Sequence, residues 1–449
     1  MAADAPRPIR IGCGAGFAGD RIDEARDLAE RGALDYLFFE CLAERTLALA
    51  QLRRRADPQA GFDPLLVDRF RAVLPACRVS GTRIVTNMGA ANPPAAAKAV
   101  IALARAEGME GLRVAVVTGD DVLDRLPVGA RAMETRSPLG QSIPSPISAN
   151  AYLGAGPILE ALTQRADVVI TGRVADPSLA LGPLMHAFGW GHDDLDLLAA
   201  GTLVGHLLEC GTQITGGYFA DPGVKDVPGL AWLGYPFAEV LPDGTATIGK
   251  LEGTGGLIDR ATVVEQLLYE VHDPAAYVTP DVCADFSGVA VEQTGLDRVR
   301  VRGARGTARP DQLKVTVGGD GGFLAEAEIS YAGAGATGRA RLAGEVVQAR
   351  MARRGTKPER LRLDLIGASS LFATAGVVSR TSQDVRLRAA LRTADRAEAE
   401  ALLHEVQALW IAGPAGGAGY RGSVTPSVET CSVLIDRSRV HPRVRMLIA

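Results

Sequence analysis

From residue 8 to residue 170 the chain alternates short apolar runs with longer stretches whose apolar residues recur every three or four positions. The short runs, at 9–12, 36–40, 83–87, 113–118 and 168–171, have the near-continuous hydrophobicity of strands covered on both faces. Between them, DRIDEARDLAERG, TLALAQLRRR, PLLVDRFRAVLPACR, PPAAAKAVIALARAEG and ILEALTQRA read as helices. The alternation predicts an α/β domain, a parallel sheet with helices on both faces in a Rossmann-like arrangement. Only the Ser- and Pro-rich segment 131–152 breaks it, and it reads as a surface excursion, a lid or an oligomer arm.

After Asp226 the texture changes. FAEVLPDGTATIG reads as a hairpin turning at Pro242-Asp243-Gly244, and LIDRATVVEQLLYEV as an amphipathic helix. Strand-like pairs then alternate with single helices through LKVTVGG, FLAEAEISY, TGRARLAGEVVQARMARRG, LRLDLIG, VRLRAALR, RAEAEALLHEVQALWI and VETCSVLI. This predicts a second, α+β domain with a mainly antiparallel sheet. A division near residue 240 gives an α/β domain at 1–240 and the α+β domain at 241–449. No short-period repeat is present, which excludes a solenoid.

Open α/β sheets bind ligands beyond the carboxyl ends of their strands. Those ends bring 13–16, Glu40, Asn87, 120–121 and 173–176 to one rim. Gly14-Ala15-Gly16-Phe17-Ala18-Gly19 follows the first strand, and Glu40 ends the second, the spacing of a dinucleotide fingerprint. Asp20 argues the other way: a carboxylate at a helix N-terminus repels the phosphate such a loop would bind, and an N-cap role suits it better. Gly14 and Gly16 are then residues of a glycine loop lining some other site.

Thr171-Gly172-Arg173-Val174-Ala175-Asp176-Pro177 leaves the fifth strand for a helix. Arg173 can hold a carboxylate or phosphate bidentately, and Asp176 stands where a general base or a helix cap would be. In the next helix, expected over 196–211, Thr202, His206, Glu209 and Gln213 fall on one stripe that contains no Arg or Lys. His206 and Glu209, one turn apart, read as an acid/base pair, as two of several metal ligands or as a hydrogen-bonded polar face. No HxxxH or HExxH accompanies them, so no metal site is assigned. Lys225 lies in an Asp-rich turn, and Lys250 precedes Gly253-Thr254-Gly255-Gly256, an arrangement suited to an anion.

Composition narrows the class. At 449 residues with 47% hydrophobic and 22% charged residues the chain is an ordinary globular protein of about two domains. The net charge of −4 and the absence of a basic block interleaved with aromatics give no sign of a nucleic-acid partner. Six scattered cysteines without a CxxC pair read as reduced thiols. The N-terminal segment lacks the apolar core of a signal peptide and no apolar run is long enough to span a bilayer, so a cytoplasmic protein without membrane contact is expected. GxSxG, Walker and Ser-Lys signatures are missing from the sequence, which leaves nucleophilic hydrolase and kinase readings without a motif.

IRIGCGAGFAGDRIDEA, DYLFFECLAERTLALAQLRR, RIVTNMGAANP, VVITGRVADPSL, GHLLECGTQITGGYFADPG, YEVHDPAAYVTPDV and GPAGGAG together resemble the acyclic terpene utilisation (AtuA) family over nearly the whole chain. The resemblance implies a place in the catabolism of acyclic terpenoids, where a lyase acting on 3-hydroxy-3-isohexenylglutaryl-CoA and releasing acetate has been proposed. Longer members carry a further ferredoxin-like domain, and this chain ends at Ala449 without it. A small ferredoxin-like subunit is then one expected partner, a homo-oligomer another.

A lyase or hydratase of a branched 3-hydroxyacyl-CoA needs a base, a stabiliser for a thioester enolate, and cations for carboxylate and phosphate. Asp176 or His206, the latter oriented by Glu209, is assigned as base, and Asn87 with backbone N–H groups as enolate stabiliser. Arg173, Lys225 and Lys250 are assigned to anions, and Glu40, Gly14, Gly16 and Gln213 to the substrate-binding rim. No cofactor is firmly implied, and coenzyme A enters as part of the substrate. The alternatives are an NAD(P)-dependent oxidoreductase, resting on the glycine loop and Glu40, and a non-catalytic subunit that docks the ferredoxin-like partner.

Overall fold

The computed structural model describes residues 7–371 and 382–449; the first residues of the N-terminal segment read above lie outside them. Strands form where the apolar runs stand: β1 (Ile9–Cys13), β2 (Tyr36–Phe39), β3 (Arg83–Thr86), β4 (Arg113–Thr118) and, after β5 (Pro146–Ala151), β6 (Val168–Ile170). β1, β2, β3, β6 and β4 lie side by side in that order, each pair parallel. Side chains on a strand alternate between faces, and the sheet accordingly divides its apolar residues between two cores. Ile11, Tyr36, Phe38, Val85, Val117 and Val169 pack on one face with helices Gly156–Thr163, Ser178–Phe188 and Leu195–Leu208. Leu37, Phe39, Ile84, Val116 and Val168 pack on the other with helices Asp23–Arg31, Leu66–Ser80 and Pro93–Ala106.

The sheet is mixed. β7 (Pro236–Val240) and β8 (Ala246–Lys250) are the expected hairpin, with Gly244 in the left-handed region, and β7 joins β1 antiparallel. Strands Arg298–Arg302 and Ala290–Gly295 extend that flank, and Arg443–Ile448 closes the other by pairing antiparallel with β4. Segment 131–152 is partly built in, because β5 pairs with the strand that starts at Gln312 and Asp120 O accepts from Ala151 N at 2.7 Å.

Two compact units result, residues 1–318 with 430–449, and residues 319–429. The compact units therefore divide at Gly318 and Thr430, whereas the change of texture near residue 240 marks the passage from parallel to antiparallel strands inside one sheet. The second unit runs strand, helix Ala336–Arg353, strand Leu361–Ile366, strand Asp384–Thr393, helix Arg396–Gln407, strand. Its sheet order, with Asp384–Thr393 antiparallel to both Leu361–Ile366 and Gln312–Ala332, is that of a split βαβ or ferredoxin-like unit. Ala327, Ile329, Tyr331, Val347, Leu387 and Leu402 form its core.

Candidate functional site

Parallel strands deliver their carboxyl ends to one edge, and on this edge the buried polar residues concentrate: Asn87, Asp120 and Arg173 are all shut off from solvent. β2 runs out into Glu40. One carboxylate oxygen of Glu40 accepts from Leu42 N at 2.8 Å and from Asn87 Nδ2 at 2.9 Å. Asn87 in turn accepts from Cys41 N at 2.8 Å through Oδ1, so the amide ties the exit of β2 to that of β3. Burial pushes the Glu40 carboxyl up from its ordinary range; the Arg173 charge opposes that push and the Glu209 carboxylate adds to it. A carboxyl that keeps its proton more readily than usual therefore stands at the centre of the rim.

Arg173 leaves β6 with its backbone N–H held by Asp120 Oδ2 at 3.0 Å, and Asn150 Nδ2 donates to the same oxygen at 2.8 Å. A Cβ on Gly172 would lie 2.6 Å from that carboxylate, which is why glycine precedes Arg173. The guanidinium donates from Nε to Val174 O at 2.7 Å, from Nη1 to Leu42 O and from Nη2 to Asp176 Oδ1. Its carbon sits 4.5 Å from the centre of the Tyr152 ring. Most of its donors are committed to the protein, so Arg173 acts here as the counter-charge of Glu40 and Asp176. Asp176 retains 35% of its side-chain surface and opens the rim to solvent. It does not cap the helix Ser178–Phe188: Pro177 holds that position and makes no side-chain cap.

Helix Leu195–Leu208 is buried around almost its whole circumference, which accounts for the lack of Arg and Lys on the stripe. His206 is closed in. Its Nδ1 meets Glu209 Oε1 at 3.1 Å, its Nε2 meets Leu267 O at 3.2 Å, and its ring centre lies 5.1 Å from that of Tyr277 and 5.9 Å from that of Phe286. With both ring nitrogens engaged, His206 holds Glu209, the reverse of the expected order. Glu209 follows the helix end, and its Oε2 is buried without a hydrogen-bond partner among the described residues. Beside it Cys210 has a thiol pushed up to about 12, first by burial and then by the Glu209 charge, and so stays protonated. Gln213 lies in the 3-10 turn Gly211–Gln213 that follows.

The glycine loop faces protein. Gly16 N donates to Asp20 Oδ2 at 2.9 Å, and a Cβ on Gly16 would fall 2.2 Å from Cys210 C and 2.3 Å from Gly211 N. Gly14 N donates to Phe38 O at 2.8 Å, and the Phe39 ring lies beside Gly14. Asp20 caps no helix, since helix Asp23–Arg31 begins after Ile22; its carboxylate closes the loop instead. Lys225 pairs with Glu265 at the surface, and Lys250 pairs with Asp297 at 3.0 Å and donates to Thr254 O at 3.0 Å. Glu40, Asn87, Arg173, Asp176 and Glu209 thus form one cluster; the ammonium groups of Lys225 and Lys250 are taken up by other partners.

Four side chains near the rim, Arg69, Glu44, Tyr152 and Lys314, escape a reading of the sequence. Arg69, fully buried, donates from Nη2 to Ala18 O at 2.9 Å and Asp20 O at 3.0 Å and so fixes the far side of the glycine loop. Its signal was present: Leu66, Arg69, Phe70, Val73 and Cys77 put an arginine on the apolar stripe of its helix. Tyr152 donates to Glu44 Oε1 at 2.6 Å, and Lys314 Nζ reaches the same oxygen at 3.1 Å while lying 4.9 Å from the Tyr152 ring centre. Glu44, so held, has a carboxyl lowered to about 2. Strand alternation alone presents Lys314 as an outward-facing surface residue, and pairing with 152 is a contact across more than a hundred residues.

No group of three or more His, Cys, Asp or Glu among the described residues is arranged to hold a metal ion, and no described helix is long and apolar enough to cross a membrane. A model of the acyclic terpene utilisation family protein AtuA matches residues 9–446. No curated protein and no solved structure matches the chain.

Proposed function

The chain belongs to the AtuA family, and from that membership we propose that it is a lyase or hydratase acting on a branched 3-hydroxyacyl-CoA by acid–base chemistry at Glu40 and Asp176. The observation that carries this reading is Glu40, a buried carboxyl raised by desolvation and clamped by Leu42 N–H and Asn87 at a strand end. Two carboxyls in unlike surroundings supply an acid and a base together. In a lyase step, Asp176 takes the proton of the tertiary hydroxyl, the carbon–carbon bond breaks to a ketone and a thioester enolate, and Glu40 returns a proton to the enolate carbon. In a dehydration, Asp176 takes the α-proton and Glu40 protonates the departing hydroxyl.

Asn87 serves by holding Glu40, and His206 by holding Glu209, whose Oε2 is buried without a hydrogen-bond partner among the described residues. Lys314, half-exposed beside Tyr152, is held on Glu44 as Lys225 is on Glu265 and Lys250 on Asp297, so an anionic substrate group would have to displace a carboxylate partner at any of the three. A nicotinamide cofactor is disfavoured by Asp20 on the Gly16 N–H and by the Cys210–Gly211 backbone against the loop, both in the space a pyrophosphate would need.

A library of acyl-CoA thioesters, screened for thermal stabilisation, identifies the substrate class, because a ligand at 100 times its Kd adds about 2.7 kcal/mol. On a stabilising substrate, Glu40→Gln and Asp176→Asn should each lower turnover by at least about 100-fold. Full turnover in both variants would refute the assignment, and a fluorescence response to NADH titration would favour the oxidoreductase.

A further inference from the structure

A sheet ends in strands whose outer backbone N–H and C=O groups lack a partner, and folded chains blunt such edges with short strands, bulges, proline or charge. Leaving aside β5, which residues 120–122 cover, the described sheets have six edge strands. Five are blunted. Arg305–Thr307 and Tyr277–Val278 have only three and two residues, Ala290–Gly295 shifts register between Gln293 and Gly295, and Ala418–Asp436 carries Pro426. Arg443–Ile448 presents exposed Arg443 and Arg445, which repel a second copy of the same strand.

The sixth, Leu361–Ile366 in the second unit, is not. It pairs with Asp384–Thr393 in unbroken register over its six residues, holds neither proline nor glycine, and has no strand on its other side among the described residues. Leu361, Leu363 and Leu365 lie against the core of the unit yet are only partly buried. The opposite face carries one charge of each sign, Arg362 and Asp364. Asp364 also takes Arg388 at 2.9 Å, whereas Arg362 is 69% exposed and touches only Asp364, at 3.1 Å.

We propose that two copies of this chain join edge to edge along Leu361–Ile366, antiparallel about Leu363, so that the sheet of the second unit continues into the second copy. The strand is complementary to itself in this register. Arg362 then lies opposite Asp364 of the second copy, Leu363 opposite its counterpart, and Leu361 opposite Leu365, so charge meets opposite charge on one face and leucine meets leucine on the other. A shift by one residue sets leucines against charges and turns the second copy's apolar face to water. A shift by two sets Arg362 against Arg362 or Asp364 against Asp364. The charges therefore select the register, while the backbone groups and the half-buried leucines supply the attraction. The proposal does not rest on the reaction assigned to Glu40.

Sedimentation velocity on the full chain from about 1 to 100 µM should show a reversible monomer–dimer equilibrium. Hydrogen exchange read by mass spectrometry at the two ends of that range should slow at 361–366 in the concentrated sample and stay unchanged at the other edge of the sheet, 418–426. Arg362→Asp sets like charges opposite each other, and the two-fold axis counts the change twice, so the dimer should weaken about tenfold. Its melting temperature, measured where the chain is monomeric, should stay within a few degrees because Arg362 is exposed. Arg362→Lys should keep the dimer. A chain that stays monomeric throughout, a dimer without slowed exchange at 361–366, or one indifferent to Arg362→Asp would each overturn the proposal.

Discussion

Glu40 shows how a residue of the strand-end cluster can be costly to the fold. Its carboxyl is raised by burial, so the folded state binds the proton more tightly than the unfolded state, for which the ordinary value is 4.5. The favourable contribution is complete below about 4.5 and is lost as pH rises through the folded value; from there on, keeping Glu40 ionised works against folding. The substitution Glu40→Gln would keep both contacts to the Oε1 atom without the charge. Melting curves of Glu40→Gln and wild type should therefore nearly coincide near pH 4.5 and separate as pH rises, with the variant more stable at pH 8. A variant less stable than wild type at pH 8 would show that the charge is better compensated than its surroundings indicate. Glu44 has the opposite sign. Tyr152 and Lys314 bring its carboxyl down to about 2, so its contribution is present above about 4.5 and is lost as pH falls towards 2. With 40% of the side chain exposed, solvent screening limits the effect of Glu44→Gln at pH 7 to on the order of 1 kcal/mol of destabilisation. Thermal unfolding measured from pH 7 to pH 3 should show the gap closing.

At the scale of elements, the glycine loop after β1 shows both what a sequence reveals and what it leaves out. The strand, the glycines and Glu40 at the end of β2 were all legible, because apolar runs and glycine spacing are local properties. The occupant of the loop was not, because Cys210 and Gly211 arrive from nearly two hundred residues away and Asp20 turns back rather than capping its helix. The same holds for helix Leu195–Leu208. Its period put Thr202, His206, Glu209 and Gln213 on one stripe, but the helix ends at Leu208, Gln213 falls in the 3-10 turn beyond it, and the partners that close in His206, Leu267 O, Tyr277 and Phe286, come from later elements. The loop yields a direct test. Gly16→Ala places a methyl group 2.2 to 2.6 Å from the Cys210–Gly211 backbone, which has no rotamer by which to yield. A loss of about 3 kcal/mol or more in denaturant unfolding is expected. Gly140→Ala, exposed and with nothing within 4 Å of its added Cβ, should stay within about 0.5 kcal/mol. Equal effects at the two glycines would mean that the loop moves aside, and the argument against a dinucleotide there would lose its footing.

For the whole molecule, hydrophobic texture separated parallel from antiparallel strands but not one folding unit from another. An antiparallel hairpin can be added to the edge of a parallel sheet, and β7 with β8 is such an addition, so the change of pattern after Asp226 marks a flank of the first sheet. Nor does any local pattern announce that Arg443–Ile448 returns to pair with β4. What texture could not place, packing does: residues 319–429 own a separate core, in which Ala327, Ile329, Tyr331, Val347, Leu387, Leu402 and Val406 are fully buried among themselves and their helices. Helices Ala336–Arg353 and Arg396–Gln407 are fastened by side chains of the same unit, with Glu405 taking Arg350 at 2.9 Å and Arg354 at 2.8 Å, and Glu398 taking Thr356 at 2.6 Å. The outward side of the sheet carries paired charges, Arg386 on Glu328 and Arg388 on Glu326 and Asp364, as a face exposed to water requires. A core, helix fastenings and a solvated face within one stretch of ordinary domain size are the conditions for independent folding. Residues 319–429 produced alone should therefore unfold cooperatively, with a circular dichroism spectrum of mixed helix and strand and dispersed amide resonances. The spectrum of a disordered chain would mean that this core is too small to hold without the rest of the protein.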